Sequence, residues 1–348
     1  MSRLLLGASV LLSVLAFFSH LLGFSLTTFL VSAISLICIS KILGDATEQL
    51  SLYVGQNTAG LVNVTLGNLA ELIIIFVAVR SNLIELVRGG IVGSIIGNLL
   101  LVMGCSIYFG CRKHKKLKFN ADTADLFINQ LFLVAAALFL PTLFNDKIPE
   151  NNQQTLTNVL ALMLFGAYIY HYLISATDER FNPIEEQVHK IEKKLSLSTS
   201  LVVLAGTAIG AFFMSELLVG EVEHIAGYAG VSQTFIGFII LPLLGNIAEH
   251  AVAVVAATKK MTELSLSIAV GSASQVGMVV APCAVLFGVL TGHQITFDFG
   301  ALPLDLLAIT FIAAFLVLRD GEWYINEGVM LIQLYLAIVL LLVFMKPF

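Results

Sequence analysis

Charge is what this 348-residue chain has least of. Asp, Glu, Lys and Arg make up 12% of it against 58% hydrophobic residues, and the mean hydropathy is +0.95. Water-soluble globular chains carry about twice that charged share, which counts against a soluble enzyme. A net charge of −5 offers no basic surface and excludes nucleic acid as a partner. The four cysteines form neither a C-x-x-C pair nor a disulfide framework. Cys38, Cys105 and Cys283 lie inside apolar runs and Cys111 at the end of one, so structural roles are expected of them. A zinc protease's H-E-x-x-H is missing, as is a serine spaced with a paired base. An intramembrane hydrolase built on Glu249, His250 and Ser272 therefore has no motif behind it.

Long apolar runs are what the chain does have. A bilayer core about 30 Å thick takes about 20 apolar residues per helix. Eleven such runs fall at roughly 4–23, 26–44, 57–79, 89–110, 125–143, 156–175, 199–219, 232–257, 264–290, 302–318 and 328–345. The expected fold is an all-α polytopic membrane protein of about 11 transmembrane helices, surrounded by the lipid bilayer. The first run follows Arg3 but exceeds a signal-peptide core, and no small-residue cleavage pattern follows Phe17-Phe18-Ser19-His20; it is expected to be retained. An odd span count puts the termini on opposite sides, with fourteen Lys and Arg on the N-terminal side and four on the other. The positive-inside rule then makes the N-terminus cytosolic and the C-terminus external.

Self-comparison is the most informative step. Gly67-Asn68-Leu69-Ala70-Glu71 recurs as Gly245-Asn246-Ile247-Ala248-Glu249, and Gly93-Ser94 recurs as Gly271-Ser272, both 178 residues on. The first copy lies in the third run and the second in the eighth. The two helices therefore cross in opposite directions, as in an inverted-topology repeat with a midplane site. The expected organisation is a leading helix at 1–25, a first repeat at 26–177, a cytosolic amphipathic linker at 178–198 and a second repeat at 199–348. The linker mixes Glu185, Glu186 and Glu192 with Lys190, Lys193 and Lys194, which suits either a solvated connector or a gate.

Glu71 and Glu249 stand deep in their runs, where an ionised carboxylate is costly unless compensated and usually marks an ion or proton path. Asn68 and Asn246 each precede their glutamate by three residues and share its helix face. Ser94 and Asn98 are paired at four residues, and Ser272 and Gln275 at three, in the runs that follow. Converging helices would ring two carboxylates with neutral oxygen donors, a set suited to calcium or another hard cation. Gly67 and Gly245 precede the polar residues, Pro242 and Pro282 lie nearby, and a helix break there would free backbone carbonyls for the ion. One divalent cation or two protons neutralise the pair, while the empty doubly negative form is costly to carry through a dehydrated state. Such a carrier exchanges cation for protons and resists moving empty. His250, next to Glu249, is a candidate for proton transfer. Glu48 and Glu216, near the ends of the second and seventh runs, are candidates for the approach path or for interfacial solvation; Asp305 shares that ambiguity. No cofactor is expected, and a homo-oligomer is left open.

The blocks Gly67-Asn68-x-x-Glu71 with Gly93-Ser94-x-x-Gly97-Asn98, and Gly245-Asn246-x-x-Glu249-His250 with Gly271-Ser272-x-x-Gln275, resemble the cation/proton exchanger (CAX) family of the calcium/cation antiporter superfamily. The resemblance is specific at 63–104 and 241–282 and extends through the span layout. It implies that Glu71 and Glu249 bind calcium and exchange it for protons, with Asn68, Asn246, Ser94, Asn98, Ser272 and Gln275 shaping the site. It also implies that the second and seventh spans slide to alternate access. The linker departs from the family's nearly uninterrupted acidic run. The compact size looks more like bacterial members, in a plasma membrane, than vacuolar ones. Sodium/calcium exchangers of the superfamily resemble a Gly-Thr-Ser-x-Pro-Glu or Asp pattern, which this chain replaces with Gly-Asn-x-Ala-Glu. A passive channel lined by the same carboxylates is a further alternative.

Overall fold

A computed structural model describes residues 3–53, 66–177 and 195–345. Part of the third expected span, 57–65, and most of the linker, 178–194, lie outside the described residues. The helices are α1 (Arg3–Leu21), α2 (Ser25–Ser51), α3 (Leu69–Arg80), α4 (Ile84–His114), α5 (Ala121–Leu143), α6 (Glu150–Thr177) and α7 (Leu197–Gly220). They continue with α8 (Val222–Ala229), α9 (Gln233–Thr258), α10 (Thr262–Thr291), α11 (Ala301–Leu318) and α12 (Ile325–Phe344). Among the described residues ten helices are long and apolar enough to cross a membrane. The chain is an all-α, multi-pass membrane protein.

Several helices outrun their apolar stretches because charge pairs solvate their ends. Lys41 and Asp45 pair at 2.6 Å in the last turns of α2, and Arg88 and Glu85 at 3.0 Å at the start of α4. The spans differ sharply in enclosure: 89% of the most apolar stretch of α4 and 67% of that of α10 are buried, but 17% for α1. The side chains α1 leaves outside are Leu4, Leu11, Phe17 and others like them, which need lipid rather than water.

The chain forms two compact units. The first comprises Met1–Gly90, Ile191–Ala248 and Lys346–Phe348, and the second Ile91–Lys190 and Glu249–Met345. The boundaries fall inside α4 and α9, so each unit draws on both halves of the sequence.

In the first unit α2 lies along α1 and α7, and α7 packs on α3. The starts of α4 and α9 cross at glycines. A Cβ on Gly237 would lie 2.5 Å from the Leu86 carbonyl oxygen, and one on Gly89 would lie 2.7 Å from that of Thr234. Only residues without a side chain permit this backbone approach.

In the second unit α4 packs on α11 and α12, α5 on α11, and α10 on α5 and α6. Gly328 repeats the glycine device, since a Cβ there would lie 2.6 Å from the Tyr108 amide nitrogen. The all-helical expectation omitted one detail, a two-stranded ladder. β1 (Lys116–Lys118) pairs antiparallel with β2 (Glu322–Tyr324), Leu117 opposite Trp323. Trp323 is fully buried, and the buried Cys111 thiol donates to its carbonyl at 3.2 Å.

The 178-residue spacing of the motifs recurs in the backbone. α3 ends at Arg80 and α9 at Thr258, and α4 begins at Ile84 and α10 at Thr262. Between them Asn82 and Lys260 both take left-handed φ, 58° and 66°. A π-helical segment at Gly97–Val102 has its counterpart at Val276–Val280.

Candidate cation site

Glu71 is positioned by an interruption in its helix. Asn68 is non-helical (φ −88°, ψ 12°), and α3 starts immediately after it. Glu71 thus occupies the first turn, where unpaired backbone N–H groups and the helix dipole favour an anion. It is 6% exposed and Asn68 3%. One donor to it comes from the other motif. Asn246 Nδ2 on α9 donates to Glu71 Oε2 at 3.4 Å, and a Cβ on Gly245 would lie 3.6 Å from the Glu71 Cβ. The spacing rule sets each asparagine on the face of its own copy's glutamate; the fold also brings the second copy's asparagine to the first copy's carboxylate.

The break expected at Gly245 does not occur, since α9 runs through it without interruption. The backbone instead departs from α-geometry in a π-helical segment at Ile236–Ile240. Pro242, two residues on, cannot donate the backbone bond an α-helix would require of it, and the wider turn absorbs the defect upstream. At Gly67 the interruption falls one residue later, at Asn68.

The second unit assembles the remaining polar residues. Asn98 is the second residue of a π-helical segment, is 1% exposed, and donates from Nδ2 to the Ser94 carbonyl at 3.0 Å. Its Oδ1 is buried and has no hydrogen-bond partner among the described residues. Gly97–Val102, which contains Asn98, rests against Ser267–Gly271 and against Ser272–Gln275. Ser94 and Ser272 are buried and Gln275 half-buried. Glu249 lies mid-helix in α9 and is half-buried, as is His250, whose Nε2 has no partner among the described residues. No group of three His, Cys, Asp or Glu side chains among the described residues could hold a metal ion. A cation here would need amide and hydroxyl oxygens as well as carboxylates.

Glu48 and Glu216 differ. Glu48 is exposed near the C-terminal end of α2, whereas Glu216 is ion-paired with Arg80, the last residue of Glu71's own helix. The Arg80 guanidinium also sits 5.6 Å from the centre of the Phe212 ring. Sequence reasoning passed over Arg80, because nothing in its own run distinguishes it from an ordinary helix-end cation.

The family described as sodium/calcium exchanger protein matches residues 24–176 and 199–344, leaving the leading helix and the linker outside. The chain is 33% identical to a Ca(2+)/H(+) antiporter of Synechocystis sp., covering 96% of this chain and 95% of that protein. The chain belongs to the calcium/proton exchanger branch of this family. Among solved structures, the Ca2+/H+ antiporter protein YfkE superimposes with a TM-score of 0.85 at 27% identity, covering 99% of this exchanger-family chain and 100% of that one. The sodium-calcium exchanger NCX_Mj shares the fold at greater distance, with a TM-score of 0.57, 18% identity, and coverage of 91% and 98%.

Proposed function

We propose that the chain is a secondary-active antiporter, not an enzyme, that exchanges Ca2+ for H+ by alternating access, with Glu71 and Glu249 as the exchanging carboxylates. The observation that carries the assignment is the buried hydrogen bond from Asn246 to Glu71. A carboxylate this enclosed in an apolar span needs a compensating charge, which a bound cation or a proton would supply. The orphan Oδ1 of Asn98 supports the same reading, because an amide oxygen buried without a donor is a ready ligand for a hard cation. Asn68, Asn246, Ser94, Ser272 and Gln275 complete the proposed ligand set, with His250 passing protons. Kinship with proteins named Ca(2+)/H(+) antiporters supports proton rather than sodium coupling. The charge bias among the loops supports a cytosolic N-terminus in a plasma membrane, with the C-terminus outside.

The mechanism follows from charge. Two protons or one divalent cation each neutralise two carboxylates, while the bare pair carries both charges into a low-dielectric occluded state. Loaded forms cross and the empty form does not, which couples the two fluxes. The test is ion-driven proton movement in proteoliposomes, with calcium, manganese and sodium gradients in parallel. Calcium is expected to drive proton counterflow in the wild type. Glu71→Gln and Glu249→Gln are expected to abolish exchange while inserting normally. Exchange retained in both variants overturns the site, and uptake that follows sodium and ignores pH establishes the sodium/calcium alternative.

A further inference from the structure

Glu221, the residue between α7 and α8, is 7% exposed and takes no part in the proposed site. Its two oxygens face two imidazoles: Oε1 is 3.3 Å from His20 Nδ1, and Oε2 is 3.8 Å from His224 Nδ1. His20 belongs to the last turn of α1, the helix outside the proposed repeat. Hydroxyls fasten α1 to α2, through Ser13 Oγ to Ser35 Oγ at 2.9 Å and Thr28 Oγ1 donating to Ser19 Oγ at 3.1 Å. Those contacts carry no charge and ignore pH. The tie from α1 to the α7–α8 junction is of the opposite kind, a buried carboxylate against partly exposed imidazoles.

The other ionisable groups on the elements packed there are accounted for. On α2, Lys41 and Asp45 pair with each other, and they and Glu48 lie toward its far end, with Cys38 between. Arg3 begins the far end of α1. On α7, Glu216 pairs with Arg80. On α8, Glu223 accepts from Gln233 at 3.4 Å, and Tyr228 is exposed. Gln233–Phe235 has no titratable side chain. The Glu221 carboxylate therefore draws its cationic partners from the two histidines.

We propose that His20, Glu221 and His224 form a proton-reading joint, in which acid on this face, the one assigned to the outside, clamps the leading helix onto the α7–α8 junction and slows the transport cycle. Imidazole is the side chain that changes charge between pH 5 and 8. Protonation turns the His20–Glu221 hydrogen bond, and the longer His224 contact, into ion pairs with a carboxylate already out of water. Because α1 is zipped to α2 and α2 lies along α7, the joint ties the first helices of both proposed repeats. The transport readout rests on the proposed exchange function; the structural readout does not.

The experiment uses the full chain. Calcium-for-calcium exchange in proteoliposomes, which needs no pH gradient, is measured at equal internal and external pH from 5.5 to 8 for wild type, His20→Gln, His224→Gln, Glu221→Gln and the His20→Gln/Glu221→Gln double variant. His20→Gln and Glu221→Gln are each expected to speed exchange at pH 5.5 by about threefold, the scale of a part-exposed ion pair, and to leave the pH 8 rate unchanged. His224→Gln has a smaller effect of the same sign, and the double variant adds nothing to either single change. In parallel, hydrogen exchange at 18–25 and 219–226 in detergent, corrected for intrinsic rates, is expected to show acid-enhanced protection in wild type that His20→Gln removes. Unaltered pH profiles and protection in the variants overturn the joint. A wild type that moves no calcium but keeps His20-dependent protection overturns the exchange reading and retains the joint.

Discussion

The glutamates of the two Gly-Asn-x-Ala-Glu copies sit in different surroundings, Glu71 in the first unit and Glu249 in the second. Glu71 is buried in the first turn of a helix that starts anew after Asn68, with an amide donor from the opposite copy. Glu249 is half-buried in the middle of an unbroken helix. Identical chemistry at the sequence level thus becomes two carboxylates with different enclosure. Glu71 has a helix terminus and an amide from the second copy beside it. The lesson is that an internal repeat specifies which groups are available, and the local backbone decides how strongly each is held.

Four perturbations sharpen or break that contrast. The largest effect is expected from the glutamates, where Glu71→Gln and Glu249→Gln each eliminate calcium-driven proton flux in proteoliposomes; survival of flux in only one would show that the copies differ in role as well as setting. Next comes Gly237→Val, which drives a side chain into the Leu86 carbonyl. It should cost about 1–3 kcal/mol or more, read as a lowered Tm and loss of monodisperse protein in detergent.

A smaller effect is expected from Asn246→Ala. Loss of a hydrogen bond to a charged group, worth about 1.5–3 kcal/mol, should weaken calcium affinity about tenfold or more. Calorimetric titration of Asn246→Ala in Glu71→Gln and Glu249→Gln backgrounds locates the coupling, and equal coupling to both glutamates would erase the contrast.

The smallest concerns the ladder of the second unit. Hydrogen bonds from Lys118, Tyr324 and Lys116 lower the exposed Glu322 carboxyl from 4.5 to about 2. A carboxyl lowered by folding favours the folded form above pH 4.5 and loses that preference as pH falls toward about 2. Amide protection across Lys116–Lys118 should therefore decline in that window and not in Glu322→Gln, while exchange kinetics at neutral pH stay as in wild type.

Much of the proposed site was legible in the chain. Glu71, Glu249 and their amide and hydroxyl neighbours stand out because polar groups are expensive in an apolar run, and the 178-residue register doubles each signal. The pairing of Arg80 with Glu216 was not visible, because each is an ordinary helix-end charge until α3 and α7 lie side by side. The β1–β2 ladder escaped for a similar reason: three-residue strands carry no periodicity, and 116–118 and 322–324 are far apart in sequence. Pro242 did signal a disturbed helix, but its position was read at Gly245 instead of upstream, where the proline's missing donor acts.

What the sequence alone determined is the solvent and the cast of chemical groups. Apolar length demands a membrane, the distribution of Lys and Arg argues for an orientation, and the repeated motifs resemble a calcium/proton exchanger. The tertiary structure alone decided which copy's asparagine serves Glu71, where the helices give up α-geometry, and which histidines face Glu221. The side-chain encounters depend on which helices pack together, and no pattern along a single helix encodes which neighbour will arrive.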